Sequence, residues 1–139
     1  MFFKKLHPFF FITLFKVLYF LFLVQNSLTA SLQPVVAPDN SMGAEFGFSV
    51  ANYGKLIFSG SPLAEINGTT HAGAVYLHKL ESNGSRIFKS KITSPDYADG
   101  DKFGYSISCS NNFLIVGAPY EDYADTSSVG AAYIYRIES

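Results

Sequence analysis

Displaced by 57 residues, this chain falls on itself. Pro38-Asp39 lands on Pro95-Asp96, Gly43 on Gly100, Phe46-Gly47 on Phe103-Gly104 and Ser49 on Ser106. Farther along, Gly60 and Pro62 land on Gly117 and Pro119, Thr69 on Thr126, Gly73-Ala74 on Gly130-Ala131, Tyr76 on Tyr133 and Glu81-Ser82 on Glu138-Ser139. No gap is needed from residue 38 to residue 82, and many unmatched positions agree in chemistry: Phe48 with Tyr105, Val50 with Ile107, Leu77 with Ile134, Lys79 with Arg136. Such a period constrains the fold more than composition does. Each copy has to be a supersecondary unit that buries its faces against its neighbours.

The unit reads as β-strands. Phe48–Ala51 and Tyr105–Ser108 are short alternating runs, and Leu56–Ser59 and Phe113–Gly117 are apolar runs bounded by turn residues. Ala74–Lys79 and Ala131–Arg136 alternate again, with Tyr133 and Tyr135 on one face and Ala132 and Ile134 on the other. A further run, Arg86–Thr93, follows Asn83-Gly84, a pair that favours a tight two-residue hairpin turn with both central residues at positive φ. Pro62 and Pro119 end their strands because proline cannot donate to a ladder. No helical period is visible after residue 31.

Short antiparallel strands in fours, repeated at this period, form propeller blades. The expected fold is therefore all-β: two four-stranded antiparallel blades of a β-propeller, over residues 38–94 and 95–139. The pair Phe103-Gly104 followed by Gly117-Ala118-Pro119 resembles the FG-GAP repeat, the blade of integrin alpha-subunit propellers and of many exported proteins. The first copy departs at one position, with Phe46-Gly47 followed by Gly60-Ser61-Pro62. Gly47 and Gly104 are expected to allow close backbone approach beside the phenylalanine rings.

The resemblance implies a calcium loop between the FG and GAP strands in many members. Here those connections are Asn52-Tyr53-Gly54-Lys55 and Cys109-Ser110-Asn111-Asn112, with no Asp or Glu. Calcium takes about six to eight oxygens, several from carboxylates. The chain is thus expected to be a metal-free short form with no cofactor.

The first thirty residues are a different object. Met1–Ala30 holds eight of the fourteen Phe and no acid; Lys4 and Lys5 precede an apolar run broken by Lys16, and small and polar residues follow. Positive start, apolar stretch and small-residue exit make a secretory signal, cut near Ala30 or Ser31. A retained membrane anchor is the rival. It would place Lys16 near the bilayer centre at about 2.5–3.5 kcal/mol. Without residues 1–30, seven Lys and Arg face eleven Asp and Glu, a formal charge of −4. That balance excludes binding nucleic acid by phosphate neutralisation. The expected setting of residues 31–139 is secreted, periplasmic or at the cell surface.

The remaining chemistry is sparse. Asp96, Asp99 and Asp101 before the second copy, and Glu121, Asp122 and Asp125 after Pro119, are expected to be solvated acidic loops. His71 and His78 have no metal-ligand spacing, and His78 matches Tyr135, a half-buried strand position. Cys109, the single cysteine, is expected to be buried as a small apolar residue in a strand. Asn67-Gly68-Thr69 and Asn83-Gly84-Ser85 are glycan acceptor sequons in expected turns, usable in a eukaryotic source. There is no G-x-S-x-G elbow, P-loop or G-x-G-x-x-G.

Two functions fit. The first is a non-enzymatic exported repeat module, integrin alpha-like, that contacts a protein or a glycan as in cell adhesion. The second is an accessory propeller, or a fragment, of a secreted hydrolase. A membrane partner enters only if residues 1–30 are retained. A ring needs about four to eight blades, so a homo-oligomer or a longer propeller is expected. In the first case Leu32–Ala37 reads as a spare blade strand, able to pair beside Ala131–Arg136 of the next subunit.

Overall fold

The computed structural model describes residues 34–39 and 42–138. The chain divides after Pro34, and its second unit, Val35–Ser139, is compact. The expected signal segment, its helix and its cleavage point lie outside the described residues. No described residue is helical, and no described helix is long and apolar enough to cross a membrane.

The second unit is all-β. Its elements are β1 (Ser49–Tyr53), β2 (Leu56–Ser61), β3 (Ala74–Leu80), β4 (Arg86–Ile92), β5 (Ser106–Ser110), β6 (Phe113–Ala118) and β7 (Ala131–Arg136). They form two antiparallel meanders, a sheet β1-β2-β3-β4 and a sheet β5-β6-β7. We call these blade one and blade two. Blade two thus has three strands, and among the described residues nothing pairs with the outer edge of β7. The spare strand expected over Leu32–Ala37 is not formed in its described part. Pro34–Ala37 is irregular, and Ala37 instead enters an apolar cluster with Ala44, Ala64 and Tyr76. Pro34 and Pro38 flank this segment, and neither can donate to a ladder.

The period seen in sequence governs the backbone as well. Ser49 pairs with Gly60 and Ser106 with Gly117. Gly47 N–H donates to the Gly60 carbonyl at 2.9 Å, and Gly104 N–H to that of Gly117 at 3.1 Å. Left-handed residues recur at the same offset even without glycine: Glu45 with Lys102, Asn67 with Ala124, His71 with Ser128. Holding such residues at positive φ costs about 1–2 kcal/mol each. The turn geometry therefore dictates the conformation, and the side chains tolerate it.

The β3–β4 hairpin forms as expected, but its turn differs. Glu81 N–H donates to Ser85 and Gly84 N–H to Glu81, at 2.8 and 3.0 Å, and only Gly84 of the loop has positive φ. This is a three-residue loop, a turn closed by one left-handed glycine, rather than the two-residue form. The Asn83 side chain explains the choice. Its Oδ1 accepts from Ser85 N–H at 2.9 Å and from Ser85 Oγ at 2.7 Å, which closes the loop after the turn.

One face of blade one packs on one face of blade two. Phe58 and Val75 meet Phe103, Leu114, Val116 and Ala118 in a single buried cluster. Each fully buried side chain of this size contributes about 1.5–3 kcal/mol. Cys109 is half-buried against this cluster, and burial raises its thiol pKa. Glycines bring the backbones together. A Cβ on Gly60 would lie 2.1 Å from the Gly104 carbonyl oxygen, and one on Gly104 would lie 2.5 Å from that of Ala74. The close approach expected at Gly104 is found. At Gly47 it is not: φ is +86°, but a Cβ there would meet nothing within 4 Å.

Candidate binding grooves at the loop end of the blades

Meander topology sends the connections to opposite ends. At one end lie the short turns at Gly54-Lys55, Ser82–Gly84 and Asn111-Asn112. At the other lie the long connections 62–73, 93–105 and 119–130, with the segment before β1. Long loops on a rigid scaffold are where binding residues concentrate.

Two open grooves sit at this loop end, of about 580 and 370 Å³. The first is lined by Met42, Gly43, Leu63, Glu65, Thr70 and His71, together with Asp39, Ala44 and Lys91. The second is lined by Asp99, Gly100, Tyr120, Asp122, Ser127 and Ser128, together with Lys102. The first six residues in each set are counterparts across the repeat. Each groove therefore carries a carboxylate from the long loop (Glu65 or Asp122), a hydroxyl (Thr70 or Ser127) and a larger side chain (Leu63 or Tyr120). The grooves adjoin where the Thr70 hydroxyl donates to Asp99 and Gly100 N–H donates to the Thr70 carbonyl at 3.1 Å.

Charge is fixed at both. Lys91 Nζ lies 2.8 Å from Asp39 and 5.4 Å from the Tyr76 ring centroid. Lys102 Nζ sits 4.5 Å over the ring of Tyr120. A cation on an aromatic face gains about 0.5–1 kcal/mol at exposed sites, and here the ammonium holds the ring at the groove wall. Such a lining offers acids, hydroxyls, an imidazole and an aromatic face, which suits a polar ligand with several hydroxyl or amide groups.

The repeat motif residues are structural. Phe46 packs edge-on to Tyr76 and His78 at 5.3 and 6.2 Å, and Phe103 packs in the same way on Tyr133 and Tyr135 at 5.4 and 6.3 Å. His78 is a buried strand residue, and burial lowers its pKa. β2 ends at Ser61 and β6 at Ala118, so Pro62 and Pro119 sit just past them. Ser61, the residue that departs from the GAP triplet, donates to the Ala44 carbonyl at 2.6 Å. The loops that stand in the position of the family's calcium loop are the tight turns at the far end, away from both grooves.

The acidic stretches divide. Asp96, Asp99, Asp122 and Asp125 are exposed as expected, but Asp101 and Glu121 are buried, at 1% and 6% exposure. The sequence carried a signal for this. Their counterparts in blade one are Ala44 and Ala64, both buried. Asp101 accepts from Ala98 N–H and so closes its loop. Burial raises its pKa, the Ala98 N–H opposes the rise, and the charges of Asp122, Asp96 and Asp99 add to it. Glu121 Oε2 has no hydrogen-bond partner. Burial raises the Glu121 pKa, and the charge of Asp101 raises it further. Among the described residues no group of three His, Cys, Asp or Glu is arranged to hold a metal ion.

The two sequons differ. Asn67 is left-handed in its turn, and its Nδ2, the atom a glycan would take, donates to Tyr97 Oη at 2.9 Å. Asn83 is exposed at the hairpin tip and is held through Oδ1.

Residues 88–135, from β4 to β7, match the family model of the FG-GAP repeat. No curated protein matches the chain. The motif pairs, the blade register and this match agree that residues 88–135 are an FG-GAP repeat.

Proposed function

We propose that this protein is an exported, non-enzymatic binding module that uses the loop end of its blades to contact a protein or a glycan. The pair of grooves, rebuilt one repeat apart at six equivalent positions that share a glycine, a carboxylate and a hydroxyl, carries this reading. A reaction centre needs one unique constellation, whereas a repeated surface suits an extended or multivalent ligand. The positive start, apolar stretch and small-residue exit of residues 1–30 support export, with cleavage near residues 30–32.

The test is binding of the purified protein to glycan and peptide arrays, in parallel with Tyr120→Ala, Glu65→Gln and a turn-end control, Lys55→Ala. Loss of binding in the two groove variants, with melting unchanged and the control intact, is the expected result. Binding that ignores both groove substitutions overturns the reading, as does binding to neither array. N-terminal sequencing of the exported product tests the export claim. Met1 retained in the membrane fraction would contradict it.

A further inference from the structure

Blade two turns an apolar face away from blade one. Phe113 and Ile115 of β6 and Ile134 of β7 lie on it, at 45%, 42% and 68% exposure. Their counterparts one repeat earlier are Leu56, Phe58 and Leu77. Those residues pack into the core between the blades. The exposed face of blade two is therefore the same face that blade one buries.

The docking atoms recur with it. In the joint between the blades, Ser49 Oγ donates to the Gly104 carbonyl at 2.6 Å, Gly60 lies under that carbonyl, and Gly73 bridges in parallel to Phe103. Blade two presents Ser106, Gly117 and Gly130 at these three places. The complementary element, Phe103-Gly104, also has its counterpart in this chain: Phe46-Gly47 on blade one. Gly47 keeps the left-handed conformation of Gly104, yet has open space where Gly104 touches the neighbouring blade. Val50, the counterpart of the interface residue Ile107, is 66% exposed beside it.

We propose that a second copy of this chain docks head to tail. Phe46-Gly47 and Val50 of one chain sit on Ser106, Gly117, Gly130 and the Phe113–Ile115–Ile134 face of the next. The contact repeats the joint already present between blade one and blade two. It is heterologous, so it closes into a ring if the rotation allows and otherwise extends. Exposed apolar faces of this kind mark interaction surfaces. A second copy is the occupant because both halves of the joint are present on one chain.

The experiment is light scattering on the purified protein expressed from the full chain, over a concentration series, with Val50→Glu, Ile134→Lys and their mixture. Both substituted side chains are exposed, so each variant should melt like wild type at concentrations where wild type is a single chain. Wild type should gain mass with concentration, and each variant alone should stay a single chain. The mixture should form two-chain species, because it restores one intact joint. A monomeric wild type at every concentration overturns the proposal. So does association that survives both substitutions, or association lost with Ile134→Lys but untouched by Val50→Glu, which would indicate like faces meeting.

Discussion

Tyr133 Oη donates to Asp96 Oδ1 at 2.9 Å, and this phenol ties the β4–β5 connection to the last strand of blade two. Blade one repeats the tie, with Tyr76 Oη 2.6 Å from Asp39 Oδ2. In both blades the loop that enters the blade is held by a tyrosine of its third strand, and that loop lines the groove. The bond shapes the electrostatics as well. Burial pushes the Tyr133 hydroxyl well above its ordinary pKa. The Ser94 hydroxyl, then that of Tyr133, hold Asp96 below its own.

Tyr133→Phe should therefore cost about 1 kcal/mol at neutral pH, the net worth of a hydrogen bond. Asp96 has a depressed pKa in the fold, so its stabilisation is present above the ordinary value of 3.8 and is lost as pH falls through the folded value. The difference between wild type and Tyr133→Phe should accordingly shrink in acid. Chemical denaturation at pH 7 and pH 3 checks this, and an equal difference at both would contradict it.

Glu121 has the opposite sign. Its pKa is raised, so the fold favours the protonated form, and the penalty appears as pH rises above the ordinary value of 4.5. A buried unsatisfied group costs about 1–3 kcal/mol. Glu121→Gln should melt several degrees above wild type at pH 7 and level with it near pH 4. A lower melting temperature at pH 7 would show that the hydrogen bond from Tyr133, which lowers the Glu121 pKa, outweighs the cost of burying the carboxylate.

The glycines separate into two classes. Gly100 is left-handed with open space around it, so Gly100→Ala should cost about 1–2 kcal/mol, the price of the backbone conformation alone. Gly60→Ala drives a methyl into the Gly104 carbonyl and must part the blades. Its cost should exceed that of Gly100→Ala, at about 3 kcal/mol or more, since overpacking typically costs about 1–3 and backbone gives least. Equal costs would contradict the tight joint.

Secreted from a eukaryotic cell, the protein should carry a glycan on Asn83 and little or none on Asn67, whose amide nitrogen is held by Tyr97. Mass spectrometry of Asn83→Gln and Asn67→Gln distinguishes the sites. A mass loss confined to Asn67→Gln would reverse the assignment.

Much of this fold is legible in the residues. Strand positions follow from alternation and from Pro62 and Pro119, and of the two close approaches expected at Gly47 and Gly104 the one at Gly104 is found. Three features were hidden for physical reasons. The Asn83-Gly84 pair suggests a two-residue turn, and only the bonds of the Asn83 side chain select the three-residue one. Leu32–Ala37 has the pattern of a strand, but its described part, Pro34–Ala37, is irregular, with Ala37 packed in a cluster with Ala44 and Ala64. Asp101 and Glu121 have the composition of a solvated loop, and their burial shows only when they are set against Ala44 and Ala64. The grooves are assembled from loops whose paths no local pattern predicts, although six of the lining residues in each have a counterpart at the repeat offset in the other.

The central claim is that one repeated blade stacks on its own copy, and a double-mutant cycle across the joint tests it most directly. Phe58→Leu in β2 and Val116→Ala in β6 each trim the shared cluster. If the blades pack face to face, the double variant should depart from additivity by about 0.5 kcal/mol or more in unfolding free energy. Additivity within about 0.3 kcal/mol would mean the two residues do not share a core, and the stacked-blade account would be wrong.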